Sequence, residues 1–216
     1  MSRTVVIHLD TASERLPIIE KLKKTMIHQV EVFSAKDGTE WEKNPKIKKD
    51  HPWSSDTITR GMLGCTHSHV DILYNSLKAR EQAVLLFEDD CYMTKTQDDV
   101  YGFIHMANQL PERWDILLLG ANEYVETEPI NQSYVRVKRF WGTHAMVIKE
   151  HAMRGALKAF ATAQAKGHFL PPDWMYNNAI KDEGIVCIGP SLPNYLCEQK
   201  VGLVSAINGK VRGAAP

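Results

Sequence analysis

Apolar and polar positions follow two rhythms along this chain, and the switches between them mark out the elements. Thr4 to Leu9 is a β-branched apolar run that predicts a buried strand. Ser13 to about Lys24 predicts a helix, with Ser13 as its cap and Pro17 tolerated in the first turn. Val30 to Ala35 predicts a second strand, closed by the turn signal Lys36-Asp37-Gly38. Leu63, Thr66, Val70, Leu73 and Leu77 recur at three- and four-residue intervals, so a helix is expected from Arg60 to about Lys78. Ala83 to Phe87 is apolar on both faces, as a strand is when helices cover its sheet on each side. A helix over Asp98 to Leu110, an apolar strand over Trp114 to Leu119, and weaker strands over Ser133 to Lys138 and Thr143 to Ile148 come next. Glu150 to about Lys166 reads as helix, a short helix follows Pro171-Pro172-Asp173, and Gly184 to Ile188 reads as a late strand. Residues 39–59 are polar, lysine-rich and interrupted by Pro45 and Pro52, which predicts a surface loop, and the tail 190–216 predicts irregular backbone.

Strands alternating with helices predict an α/β fold with a mainly parallel central sheet and helices on both faces. In such a sheet ligands sit beyond the carboxyl ends of the central strands. The 216 residues make one domain, 1–216. Twenty-six basic side chains balance twenty-six acidic ones, so the overall field favours neither nucleic acid nor a membrane surface as partner. The apolar run at the amino terminus is too short for a signal peptide or a transmembrane segment, so a cytoplasmic location is expected. The cysteines at 65, 91, 187 and 197 form no CxxC pair, so reduced thiols are expected.

The strongest strand runs directly into Glu88-Asp89-Asp90. Adjacent anions at the end of a buried strand repel and lose solvent, a cost that a divalent cation relieves. In extended backbone Glu88 and Asp90 face one way while Asp89 turns aside. Few hard oxygen ligands suit Mn²⁺ or Mg²⁺, completed by substrate phosphates. Elsewhere structural roles compete. On a helix His67 and His69 differ by about 200°, so they cannot share one ion, and each reads as a packed histidine. Gly61 and Gly64 permit close approach of a ligand or of a neighbouring backbone. Asp37 is either a turn residue or an acceptor for a ribose or base, and Asp173 either a helix cap or a general base. Glu123 and Glu126 follow the strand ending at Gly120 and can approach the same region. The cluster Lys43, Lys46, Lys48 and Lys49 reads as a solvated loop before it reads as a phosphate clamp.

Gly61-Met62-Leu63-Gly64-Cys65-Thr66-His67-Ser68-His69, followed nineteen positions later by Glu88-Asp89-Asp90, resembles glycosyltransferase family 25, which includes lipooligosaccharide and collagen galactosyltransferases. Val6-Ile7-His8-Leu9-Asp10 with Arg15 resembles the opening "INLxxRxDR" segment, and Phe33 to Gly38 resembles "fxAxDG". Gly142 to Ile148 resembles the family's strand before a helix, Leu170 to Asp173 its "PVD" turn, and Gln199 with Ser205-Ala206-Ile207 its "Q…SDI" ending. Thr11-Ala12-Ser13 departs from the usual basic loop, Trp174 from an acid, and Ala206 from an aspartate. The resemblance implies a glycosyltransferase-A fold and inverting transfer of galactose or glucose from a UDP-sugar to an acceptor hydroxyl. That acceptor would be a glycan, a lipid-linked saccharide or a hydroxylated collagen-like protein. It assigns Glu88 and Asp90 to the metal, with Leu9, Arg15, Asp37, Ser68, His69 and Asp89 around the donor. Asp173 is expected as the base, ahead of Glu123. A nucleotide-sugar-binding protein without transfer activity is the alternative, and a metal-dependent nucleotidyltransferase or phosphatase a third reading, weakened by the lack of a second acidic cluster.

Overall fold

The computed structural model describes residues 3–26, 28–38, 59–191, 195–200 and 203. Most of the expected lysine-rich loop (39–58) and of the tail (201–202 and 204–216) lies outside the described residues, and with it the four-lysine cluster and Ser205-Ala206-Ile207. In chain order the strands are β1 (Arg3–His8), β2 (Val30–Ser34), β3 (Ala83–Glu88), β4 (Cys91–Met93), β5 (Ile116–Gly120), β6 (Glu123–Pro129), β7 (Tyr134–Trp141), β8 (Ala145–Lys149), β9 (Cys187–Pro190) and β10 (Cys197–Gln199). The helices are α1 (Leu16–Thr25), α2 (Arg60–Lys78), α3 (Gln97–Ala107), α4 (Glu150–Ala165) and α5 (Pro172–Asp182).

Eight strands form one sheet in the order β2-β1-β3-β8-β5-β9-β7-β6. Only β8 and β7 run antiparallel to both neighbours, so six of the eight share one direction. The expected mainly parallel sheet is therefore the one observed. Alternate residues of each central strand enter opposite cores. Val84 and Leu86 of β3 and Ile116 and Leu118 of β5 join Ile72, Met153 and Tyr176 from α2, α4 and α5. Leu85, Phe87, Leu117 and Leu119 join Ile19, Leu22, Val100 and Ile104 from α1 and α3. Both faces are covered, which is why these strands are apolar at every position.

Four expectations change at the edges. Ser13 opens a short 3-10 turn, Ser13–Arg15, and the N-cap of α1 is Arg15, which makes no side-chain cap bond. The expected Pro17 in the first turn is observed. Helix α3 starts earlier than expected, because Thr96 and Asp99 form a reciprocal capping box. Glu123 to Pro129, where the sequence predicts no element, is the exposed edge strand β6, whose acids carry no alternating apolar signal. Within the supposedly irregular tail, β10 pairs antiparallel with β4.

Chain connectivity places the site. From β1 the chain crosses to β2 on one side and returns through α2 to β3 on the other, which opens a crevice at the carboxyl ends of these three strands. The turn after β2 is pressed against the start of α2. A Cβ on Gly64 would stand 2.0 Å from the Lys36 carbonyl oxygen, and one on Gly38 would stand 2.0 Å from that of Arg60, with Gly38 also at φ +78°. Of the two uses expected for the helix-start glycines, Gly64 serves backbone approach. Gly64→Ala is expected to cost about 1–3 kcal/mol by overpacking and to lower the thermal midpoint. An unchanged midpoint would show that the turn yields freely.

Candidate active site

A cavity of about 380 Å³ opens at that crevice. It is lined by Leu9 after β1, Arg15 from the 3-10 turn, Asp37 after β2, Gly61 and Cys65 from α2, and Glu88, Asp89 and Asp90 after β3. Residues from five separate segments meet there because three parallel strands end at one level.

The three carboxylates have different partners. Asp89 is buried, with Oδ2 2.9 Å from His8 Nδ1 and accepting from the Leu9 amide at 3.3 Å, while Oδ1 accepts from Arg15 Nη1. It therefore fastens the end of β1 and the 3-10 turn to the end of β3. Asp90 is buried too, 3.7 Å from Arg15 Nη1, and accepts from Gln199 Nε2 at 3.4 Å. Its carbonyl accepts from the Lys200 amide, so β10 is held to the same turn. Burial lowers the pKa of Arg15, but Asp89 and Asp90 overcome that and raise it, so the guanidinium stays charged.

Glu88 faces a different set of groups. Its Oε1 accepts from the Thr143 hydroxyl at 2.6 Å and lies 3.6 Å from Nε2 of the fully buried His69. Burial pushes the Glu88 carboxyl up, but His69, Thr143 and His144 together outweigh it and hold the group at about 2 against the usual 4.5. The other ring nitrogen of His69, Nδ1, is 3.1 Å from the Tyr176 hydroxyl. Nε2 is buried with no hydrogen-bond partner among the described residues. Cys65 stands one helical turn before His69, and ligand atoms of Cys65, His69 and Glu88 all lie within 4.8 Å of one another. The Cys65 thiol is pushed well above its usual value, by burial first and then by Glu88, Asp173, Asp90 and Asp89. Four carboxylates thus act on one point, while Arg15 approaches two of them, Asp89 and Asp90. The unsatisfied imidazole nitrogen and this excess negative charge fit a bound divalent cation, with Glu88 as its best-placed ligand. Asp90 is not part of the close trio.

Asp173 stands in the first turn of α5, behind the N-cap Pro171 and after Pro172. Two consecutive prolines start the helix at a defined residue. The carboxylate accepts from the Trp174 amide at 2.9 Å and from the amide of Gly142. Burial raises its pKa above the usual 3.8, the backbone amides of Trp174, Gly142 and Asp173 itself oppose that, and the charge of Glu88 adds to it. The loop between β7 and β8 thus serves both acids, with Gly142 holding Asp173 and Thr143 holding Glu88.

The structure brings Leu9, Arg15, Asp37, Glu88, Asp89 and Asp90 to one cavity, with His69 behind Glu88 and Asp173 within electrostatic range. Asp37 is exposed there and accepts from Arg60 at 2.6 Å. Ser68 lies a layer back, where its hydroxyl donates to the Gly64 carbonyl and accepts from the Lys36 amide. Glu123 is exposed at the start of β6 and does not line the cavity. His67, expected to point away from His69, packs edge-on against Phe160. Sequence reasoning gave no role to His8 and Thr143, although both lie in segments that resemble the family, and none to Tyr176, which lies in no such segment. It also missed Cys65 as a partner of His69. The signal for that pairing is the four-residue spacing, which puts Cys65 and His69 one helical turn apart on the same face.

The sequence model of glycosyltransferase family 25, described as an LPS biosynthesis protein, matches residues 1–173. No curated protein matches the chain. Among solved structures, A197 from STIV is similar at 14% identity and a TM-score of 0.48, over 87% of this chain and 81% of that one. Mannose-1-phosphate geranyltransferase from Thermus thermophilus is similar at 9% identity and 0.43, over 91% and 75%. Mouse xyloside xylosyltransferase 1 follows at 10% and 0.39, over 83% and 68%. Likeness at this level carries no argument about chemistry. No described helix is long and apolar enough to cross a membrane.

The opposed shifts of Glu88 and Asp173 give opposite pH signatures. Glu88, with its lowered pKa, contributes stability above 4.5 that is lost as pH falls toward about 2. Asp173 is raised, so its ionisation favours the unfolded chain: the penalty is absent below 3.8 and fully present above the raised value. Asp173→Asn is therefore expected to melt higher than the wild type at pH 7, with the gap closing below about pH 4. A midpoint at pH 7 equal to or below the wild type's would show that the carboxylate carries no such penalty.

Proposed function

We propose, from the premise that this chain belongs to glycosyltransferase family 25, that it moves a hexose from a UDP-sugar to an acceptor hydroxyl with inversion, using a divalent metal. Family membership makes the chain a glycosyltransferase. The donor, the metal and the stereochemistry are our reading. The observation that carries it is the convergence of Glu88, Asp89 and Asp90 on a cavity between the ends of β1, β2 and β3, with Asp173 near enough for Glu88 to raise its pKa.

In this reading the diphosphate of the donor lies against the carboxyl end of β3. Glu88 and Asp90 would hold Mn²⁺ or Mg²⁺, with His69 as a further nitrogen donor, and a bound ion would supply charge neutralisation for the departing UDP. Arg15 neutralises Asp89, which keeps the remaining negative charge on the acids that face the cavity. Asp37, exposed beside Arg60 and lining the cavity, is suited to accept hydrogen bonds from the ribose hydroxyls. Leu9 supplies apolar surface for the uracil.

Transfer forms a bond between the acceptor oxygen and the anomeric carbon and breaks the bond from that carbon to the phosphate oxygen. The acceptor proton leaves with Asp173, on the face opposite the diphosphate. A raised pKa suits that role, because a carboxylate that is a weaker acid is a stronger base toward the acceptor proton. Glu123, exposed on the edge strand, is a weaker candidate for the base. The acceptor is a glycan, a lipid-linked saccharide or a hydroxylated protein.

Titration calorimetry of UDP-galactose and UDP-glucose with and without Mn²⁺, followed by assay of UDP release, tests the reading. One UDP-sugar is expected to bind only with metal, and Asp90→Ala to abolish both binding and UDP release. Asp173→Asn is expected to retain donor affinity while turnover falls by about 10²–10⁴. Failure of both UDP-sugars to bind overturns the proposed donor. Binding with no turnover on any acceptor, and no hydrolysis, would favour a nucleotide-sugar-binding protein instead.

A further inference from the structure

A second cavity, of about 710 Å³, lies between β7 and α5 and shares no lining residue with the first. Its α5 wall carries Trp174, Asn177, Asn178 and Lys181, whose spacing of three, four and seven residues puts them on one helical face. Its β7 wall carries Arg139 and Trp141. Asn177 binds the Phe140 amide at 3.1 Å and the Phe140 carbonyl at 2.8 Å, which fixes one wall to the other.

Two features suggest what the groove holds. The first is aromatic. The rings of Trp141 and Trp174 lie 5.8 Å apart, tilted by 36°, and both are half-buried. Indole faces of this kind match the C–H face of a sugar ring, which is apolar while its hydroxyls point outward. The second is charge. Of the four cations lining the groove, Arg136 pairs with Glu112 and Glu128, and Lys138 pairs with Glu128. Arg139 and Lys181 are exposed and form no ion pair among the described residues, and Glu126 is the only acid in the lining. The Arg139 guanidinium sits 4.8 Å from the centre of the Trp141 ring. In that stacked position its N–H edges remain available for an anion.

The location adds the third part. Trp141 precedes Gly142 and Trp174 follows Asp173, and Gly142 donates to the Asp173 carboxylate. The aromatic pair therefore flanks the proposed base in sequence on both of its supporting segments. Asp173 in turn feels the charge of Glu88 at the edge of the donor cavity. Asp173 itself lines neither cavity, but its chain neighbour Trp174 lines the groove and Glu88, whose charge it feels, lines the donor cavity.

We infer that this groove is the acceptor site and that its occupant is a negatively charged oligosaccharide, stacked on Trp141 and Trp174 and held at its anionic group by Arg139 and Lys181. The inference rests on the transferase reading with Asp173 as base, and it adds the acceptor's chemical class. The anionic group is a phosphate ester or a sugar carboxylate, since the guanidinium and ammonium recognise either.

The test is an array of oligosaccharides in matched neutral, phosphorylated and uronic- or sialic-acid forms, probed with the full chain, with titration of tryptophan fluorescence for each glycan bound. Charged glycans are expected to bind and to alter the fluorescence, and removal of the charge to weaken binding at least about tenfold, or 1.4 kcal/mol. Arg139→Glu with Lys181→Glu is expected to erase that preference, and Trp141→Ala to weaken charged and neutral forms alike. UDP titration of the same variants should match the wild type, which separates a damaged groove from a misfolded chain. Neutral glycans binding as well as charged ones, no binding at all, or a charge preference that survives both glutamate substitutions would overturn the inference. Charged-glycan binding by a wild-type chain that binds no UDP-sugar would remove the donor reading and leave the groove standing.

Discussion

Three consecutive acids at the end of a fully buried strand are the constraint around which the rest of this structure is arranged. Strand β3 cannot place Glu88, Asp89 and Asp90 at the sheet's edge unless something meets their charge. Arg15 and His8 meet that of Asp89, and Arg15 approaches Asp90. Removing one partner of such a buried pair typically costs about 3–5 kcal/mol, because the other charge is left uncompensated. The clamp also has a geometric effect. It ties the end of β1 and the turn before α1 to the end of β3, and those segments form one wall of the cavity.

The remaining acids are poised by local contacts. Glu88 is held ionised by an imidazole and a hydroxyl, while burial and the charge of Glu88 make Asp173 a weaker acid. Environments that push two carboxyl groups apart in this way commonly separate their roles, one staying charged and the other exchanging a proton. A single loop sustains the difference, since Gly142 and Thr143 are adjacent and bind different acids. Fold and chemistry are coupled at that loop, which exists because the antiparallel β8 returns through the sheet between β3 and β5.

Much of the fold was legible in the sequence. Helix α2 was expected and is found over Arg60 to Lys78, because its apolar stripe repeats over nineteen residues. The central strands were legible because both of their faces are buried, so no polar position interrupts them. What escaped were β4, β6 and β10. Each is short or lies at an edge, where one face or both stay polar; β4 and β10 find each other far apart in the chain, and β6 pairs with the next strand β7 without an apolar alternation of its own. Ser13 was misjudged for a related reason: a good capping residue was available, but the chain forms a 3-10 turn that carries Arg15 to Asp89.

The candidate site divides along the same line. The sequence by itself determined that a charged cluster follows the strongest strand, that Cys65 and His69 share a helix face, and that Asp173 opens a helix after two prolines. These follow from local spacing, which a chain carries wherever it goes. Only the tertiary structure decided that Asp89 binds Arg15 and His8, that Ser68 supports a turn, that Thr143 and Tyr176 position Glu88 and His69, and that Trp141 meets Trp174 beside the proposed base. Those pairings join residues far apart in the chain, from 32 positions between Lys36 and Ser68 to 107 between His69 and Tyr176. The sheet order brings them together, and no periodicity encodes a contact made across it.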